Sequence, residues 1–268
     1  MKLQRALYLF LALAPLLCQA SPPDCISSPQ VAIDKITAKI IVIGEMLGTE
    51  QAPAFVGQLA CGLLKQNRPV VVALERNGTE QEALNRYLTS AGQPADIRAL
   101  LSGPSWALHP QDGHNSQAML KLLDQLRQWR QGGQPVGVLA MQSGFRPVVP
   151  PETIQMRPYN GDEMARMNGI LDRSMADNVW IASVIYGGYT VIALARDVHA
   201  AAGSKARALL TPTPSFADVL SSYAPIHVIG LTSGGRTSPT ARMYMTDSRI
   251  DSQVDVGEIT VSPPAGSN

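Results

Sequence analysis

Two apolar runs of the same shape limit what this chain can become. The stretch from Lys39 to Glu75 reads KIIVIGEMLGTEQAPAFVGQLACGLLKQNRPVVVALE. A β-branched run, Ile40 to Ile43, breaks at Gly44-Glu45, and a second, Val70 to Leu74, ends at Glu75. Between them Phe55, Val56, Leu59, Leu63 and Leu64 form one stripe of a helix over Ala52 to Lys65, with Pro53 in its first turn. Strand, helix and strand make a parallel βαβ unit. In such a unit the loops after the strands' C-terminal ends open on one crevice. Packing asks for no acid at either end, so Glu45 and Glu75 are the first candidates for chemistry.

The alternation continues. Thr79 reads as the N-cap of a helix over Glu80 to Leu88, with Glu82 closing a capping box. Gly92 to Pro110 is irregular and reads as a lid or helical insert. Asn115 or Ser116 caps a helix carrying Met119, Leu122, Leu123, Leu126 and Trp129, which Gly132-Gly133 stops. Strands are expected at Val136 to Met141, Thr190 to Ala195 and Ile226 to Leu231, with a long helix at Asp162 to Ile185. Lys205 to Leu210 and Phe216 to Ser222 read as short helices. Met243 to Met245 and Val254 to Val261 read as edge strands open to antiparallel pairing. The expected fold class is therefore α/β: a single domain with a mainly parallel sheet flanked by helices. Its span is Lys39 to Ser262, after a lead-in at Ser21 to Ala38 and before a frayed tail, Pro263 to Asn268.

Composition narrows the partners. Of 268 residues, 45% are hydrophobic and 16% charged, as in a globular chain. A net charge of +1 and 5% aromatics give no basic excess and few stacking rings, so no nucleic acid is expected. Lys2 and Arg5 precede an apolar run, Ala6 to Leu17, and Cys18-Gln19-Ala20 offers small residues for a signal peptidase. Residues 1–20 thus read as a signal peptide cleaved after Ala20, and no later stretch is long and apolar enough to span a bilayer. A periplasmic or secreted location follows. Acylation at Cys18 would need a small residue before it, and Leu17 is bulky. After cleavage Cys25 and Cys61 remain, and an oxidising compartment makes a disulfide between them the expected state.

Besides Glu45 and Glu75, Asp197 and His199 sit where a strand end meets the crevice. Such a set can ligate a divalent metal or divide acid and base work. Each also has an ordinary alternative: Glu75 as a turn cap, Asp197 as the partner of Arg196 or Arg173, His199 as a hydrogen-bonded core residue. No G-x-S-x-G elbow, Walker loop, H-E-x-x-H or C-x-x-C is present.

The segments GEMLGTEQAPAFVGQLACGLL and VVVALE, the helix from Asp112 (DGHNSQAMLKLLDQLRQWRQGG), LDRSMADNVWIASVI from Leu171 and VIALARDVHA from Val191 together resemble one superfamily. It holds the ChaN haem-binding uptake proteins, the erythromycin-esterase-like hydrolases and the TIKI/TraB proteins. The resemblance implies Glu45, Glu75, Arg173 and His199 as the catalytic set, Arg173, His199 and Asp197 against a cofactor, and Glu45, Glu75 and His199 as metal ligands. It implies a haem or metal-containing ligand in the crevice. An ester or amide hydrolase is the alternative, and an inactive binding relative the third reading.

Two departures bear on that choice. Leu47 stands where the first motif usually has a histidine, and leucine neither ligates nor moves a proton. Arg196-Asp197 replaces the Gly-Asn of the last motif. They point to a binding protein or a divergent site. His109 or His114, flanking Asp112, could replace the missing histidine, although both also read as exposed loop residues. His227 reads as structural. Tyr159, Tyr186, Tyr189, Met164, Met167 and Met175 are possible haem contacts, with core filling the ordinary role of such methionines.

Overall fold

A computed structural model describes Cys25 and residues 31–45, 48–107, 115–143, 161–205, 208, 212–232 and 249–266. The signal segment, Leu47, His109, His114, Tyr159 and Met243 to Met245 lie outside the described residues, as do the side chain of Met164 and most of the helix expected at Lys205 to Leu210.

Six strands form one sheet: β1 (Ile40–Glu45), β2 (Val70–Asn77), β3 (Val136–Gln142), β4 (Thr190–Arg196), β5 (Ile226–Thr232) and β6 (Ser252–Asp255). Their order is β3-β2-β4-β1-β5-β6, and every pair runs parallel. The helices are α1 (Gln51–Lys65), α2 (Gln81–Thr89), α3 (Pro94–Leu101), α4 (Pro104–Ala107), α5 (Gln117–Gln131), α6 (Gly161–Ile185), α7 (Asp197–Ala200) and α8 (Phe216–Tyr223).

Alternation along the strands sorts the core into two layers. Ile41, Ile43, Val72 and Leu74 pack under α1, α2 and α5. Ile40, Val42, Val71 and Ala73 pack under α6 and α8 with Met175, Val179 and Phe216. The connection leaving β1 therefore goes to one face of the sheet, and the one leaving its neighbour β4 goes to the other. That divergence makes the C-terminal ends of β1 and β4 the switch point of a doubly wound sheet, the position where such folds place their ligand crevice.

The structure revises the sequence expectation at four places. β2 does not stop at Leu74; it runs through Glu75, Arg76 and Asn77, whose polar groups find partners. Its register with β3 slips there: Leu74 faces Ala140 while Asn77 faces Gln142, which inserts one extra residue on β2. Thr79 is not the cap of α2. The Asn77 side chain accepts from the Thr79 N–H at 3.0 Å, a 3₁₀ turn spans Gly78–Glu80, and Glu82 pairs with exposed Arg86 instead. The edge strand is parallel, because the stretch between Thr232 and Ser252 is long enough for a crossover. Among the described residues antiparallel contact is confined to isolated bridges, Thr49 with Val261 and Ser116 with Pro264. Finally, Pro263 to Ala265 is tied to the start of α5. Gln117 N donates to Pro263 O, and Ala265 N to Asn115 O, both at 2.7 Å.

Other expectations hold. Ser116 caps α5 by accepting from Met119 N, and Gly133, at φ 82°, follows the helix in the left-handed region that glycine tolerates. Cys25 and Cys61 are joined in a disulfide that closes 36 residues of sequence and staples the lead-in to α1. Among the described residues no helix is long and apolar enough to cross a membrane. In the chain-entropy account a bridge of this span contributes about 3–4 kcal/mol. Cys25→Ser should lower the urea midpoint of unfolding by that amount of stability, and reductant should lower the native protein's midpoint to the same value without affecting the variant's.

Candidate active site

The end of β2 sends two neighbouring charges in different directions. Arg76, 1% exposed, meets Glu80, its Nε at 3.1 Å and Nη2 at 3.0 Å from Oε2, and its guanidinium lies 4.0 Å over the Trp106 ring. Glu80 Oε1 in turn accepts from Ser105 N at 2.6 Å. A buried charge needs an opposite charge beside it, and here the Arg76–Glu80 pair fastens α4 to the strand end. Glu75, immediately before it, turns to the end of β4.

There Glu75 is held by Arg196 at the end of β4. The Arg196 backbone N–H donates to Oε2 at 2.9 Å, while Nε at 2.9 Å and Nη2 at 2.6 Å donate to Oε1. Gln142 Nε2 adds a longer contact to the same oxygen at 3.3 Å. Charge-assisted bonds of this kind are among the strongest a side chain makes. The carboxylate is fully buried while the arginine side chain is 32% exposed, so the guanidinium forms the outer surface of the pair.

His199 follows on α7, its side chain 2% exposed. Nδ1 lies 2.6 Å from Asp172 Oδ1. Asp172, on α6, also accepts from the N–H of Phe216 at the start of α8, at 2.9 Å. With a carboxylate as its partner, Nδ1 acts as the hydrogen-bond donor, and Nε2 is directed toward the strand ends. Nε2 stands 3.6 Å from Glu75 Oε1, beyond hydrogen-bonding distance.

Glu45 completes the cluster from β1, opposite Arg196 in register and 3% exposed. Burial is the main force on its carboxyl. The Glu75 charge adds to it, Arg196 opposes it and Asp197 adds again, so that its pKa is pushed up to about 8. At neutral pH the group is therefore mostly a carboxylic acid. Asp197 has one oxygen on the Val198 N–H at 2.8 Å, while its buried Oδ2 has no partner among the described residues. Burial raises its pKa as well, against the Val198 N–H and the His199 and Arg196 charges.

Glu45, Glu75, Asp197 and His199 are thus gathered at one rim of the sheet, as the strand-end reading expects. Arg173 is not among them. It projects from the exposed side of α6, and its neighbour Asp172 reaches His199 instead. A helix phase explains the exchange: Asp172 is in line with buried Ala165, Met175, Ala176, Val179 and Ala182. A carboxylate inside an apolar stripe was the signal in the sequence. His227 donates to or accepts from Ser252 Oγ at 2.9 Å on the outer strands, away from this cluster.

The residues do not fit a metal centre. Among the described residues no three His, Cys, Asp or Glu side chains form a group able to hold one, because both Glu75 oxygens are taken by Arg196. Nor does His199 present Nε2 to a haem iron, since Glu75 stands in front of it. The described geometry instead places an oriented imidazole and a carboxyl with a raised pKa at neighbouring strand ends, both within reach of the Glu75–Arg196 pair.

No family model matches the chain, and no curated protein matches its sequence. Solved structures do match. A Bacillus cereus protein aligns with 79% of this chain and 72% of its own at 13% identity, with a TM-score of 0.55. A mutant of erythromycin esterase EreC in its open conformation aligns over 85% of this chain and 76% of its own, at 11% identity and a TM-score of 0.54. The chain shares its fold with erythromycin esterase. ChaN of Campylobacter jejuni, described for cofacial haem binding, aligns over 79% and 85% at 15% identity with a TM-score of 0.42, too loose to bear on the ligand.

Glu45 ties the site to stability. Below about pH 4.5 its carboxyl is protonated in both folded and unfolded chains. Between that value and about 8 the unfolded chain ionises while the folded one does not, so stability falls as pH rises and then levels off. Glu45→Gln removes that loss. Compared by urea unfolding, the variant should gain on the native protein by on the order of 3–5 kcal/mol between pH 5 and pH 8.

Proposed function

We propose that this chain is an exported hydrolase of esters or amides that works by acid–base catalysis in the strand-end crevice. One observation carries the reading: a histidine oriented by a buried aspartate shares the rim with a glutamic acid that keeps its proton near neutral pH. Erythromycin esterase, by its name, acts on an ester, and the common fold supports the same reaction class here.

In this reading a water gives its proton to His199 Nε2 as its oxygen bonds to the carbonyl carbon. Asp172 positions the ring and faces the imidazolium that forms. The carbon–oxygen bond to the leaving group then breaks, and Glu45 supplies the proton that makes it an alcohol. Transfer from His199 back to Glu45 resets the site. Arg196, fixed on Glu75, is the positive group nearest the mouth and orients the carbonyl oxygen or an anionic substituent. The Cys25–Cys61 bridge supports the expected periplasmic or secreted location.

Haem or a divalent metal in the same crevice is the competing reading, and one experiment separates them. The mature protein, purified without chelators, is assayed against p-nitrophenyl esters and a macrolactone and titrated with haem. Hydrolysis should appear without added metal and fall about 10²–10⁴-fold in His199→Ala and in Glu45→Gln. Because Glu45 must hold its proton, the rate should decline as pH rises through about 8. An inert protein with a Soret band that His199→Ala abolishes would replace hydrolysis by haem binding.

A further inference from the structure

The long helix α6 carries an apolar face that stands exposed among the described residues. Ile170, Val184 and Ile185 are 69%, 61% and 69% exposed, and Trp180 and Ile181 accompany them. Tyr223, at the end of α8, extends the face. Its ring lies 5.7 Å from that of Trp180, and its hydroxyl donates to Asp177 Oδ1 at 2.8 Å. Met167 and Tyr186 lie on the same helix or just past it. Among the described residues, Val261 is the one exposed large hydrophobic residue elsewhere.

Two arguments identify the occupant. From Ile170 to Tyr186 the face is about 25 Å long and offers on the order of 500–700 Å² per copy. That exceeds the few hundred Å² a monomer ordinarily leaves to water and approaches the ~800 Å² per partner of a standard interface. The charges within it are also self-complementary. Arg173 and Asp177 stand one turn apart near its middle. About a two-fold axis between them, each Arg173 meets Asp177 of the partner subunit, and Ile170 meets Trp180 of the partner subunit. A balanced pair of this kind suits a second copy better than an anionic membrane, which a cationic rim would favour.

We propose that α6 and the end of α8 form an antiparallel two-fold interface between two copies of this chain, held in register by reciprocal Arg173–Asp177 pairs. Arg173 thereby has a role on the opposite side of α6 from Asp172.

Sedimentation velocity of the mature protein over a dilution series tests this. The native protein should sediment as a dimer that dissociates on dilution. Ile181→Glu should raise the dissociation constant at least about 30-fold with an unchanged circular dichroism spectrum and, at concentrations where both proteins are monomers, an unchanged urea midpoint, since the side chain is exposed. Arg173→Asp and Asp177→Arg should each weaken the dimer about tenfold, and the double exchange should restore it to within about threefold. A monomer throughout the series, a dimer indifferent to Ile181→Glu, or a charge exchange without rescue would overturn the proposal. So would a monomer that floats with phosphatidylcholine–phosphatidylglycerol vesicles through Ile181, which would give the face to a membrane.

Discussion

At the crevice the Arg196 guanidinium stands on the Glu75 carboxylate, and the neighbouring groups are arranged around that pair. Glu75 is fully buried, and an uncompensated carboxylate there would be costly. With Arg196 in place the pair is closed, and Glu45 is left as the acid that burial keeps protonated. His199 then faces a neutralised Glu75 on one edge and Asp172 on the other. Without the guanidinium, Glu45, Glu75 and Asp197 would share one pocket with only an imidazole to balance them.

The backbone brings these groups together through two local devices. Connections leaving β1 and β4 diverge to opposite faces, which clears the space above their ends. Alternation along β2 sends Glu75 and Arg76 to opposite faces, so one meets Arg196 and the other locks α4 through Glu80 and Trp106. The buried Arg76–Glu80 pair contributes placement more than net stability, as buried ion pairs generally do. It holds the chain after β2 firmly against the strand end, and a rigid strand end is what a preorganised site requires.

Much of this was legible in the sequence, and for a physical reason. An acid that ends an apolar strand run has no packing role, so Glu45 and Glu75 stand out, and His199 follows a strand end by the same logic. The sheet class and the Cys25–Cys61 bridge were readable from alternation and cysteine arithmetic. What escaped depends on pairing across the sheet. Nothing local says that β2 gains a residue against β3, or that Arg196 spends its donors on Glu75. A motif match favours Arg173 over Asp172 because it does not weigh helix phase. The buried residues around Asp172 do, and they turn Arg173 to the exposed side.

Leu47 and Arg196-Asp197, the two places where the sequence departs from the motifs it resembles, bear on what the arrangement around Arg196 allows. Replacing a glycine by arginine introduces a fixed cation where the other carboxylates converge. A divalent ion bound by Glu75 would have to displace the Arg196 side-chain and backbone bonds together, and would then meet a positive charge at close range. A fixed guanidinium provides positive potential without a bound ion, and at 32% exposure it does so on the solvent side of the buried Glu75 carboxylate. Leucine at position 47 removes a proton carrier from the first motif, but the Asp172–His199 pair supplies an oriented imidazole from the opposite layer. In the proposed acid–base reading the site would rest on protonation states set by burial, and the carboxyl that burial keeps neutral would bound its chemistry on the alkaline side.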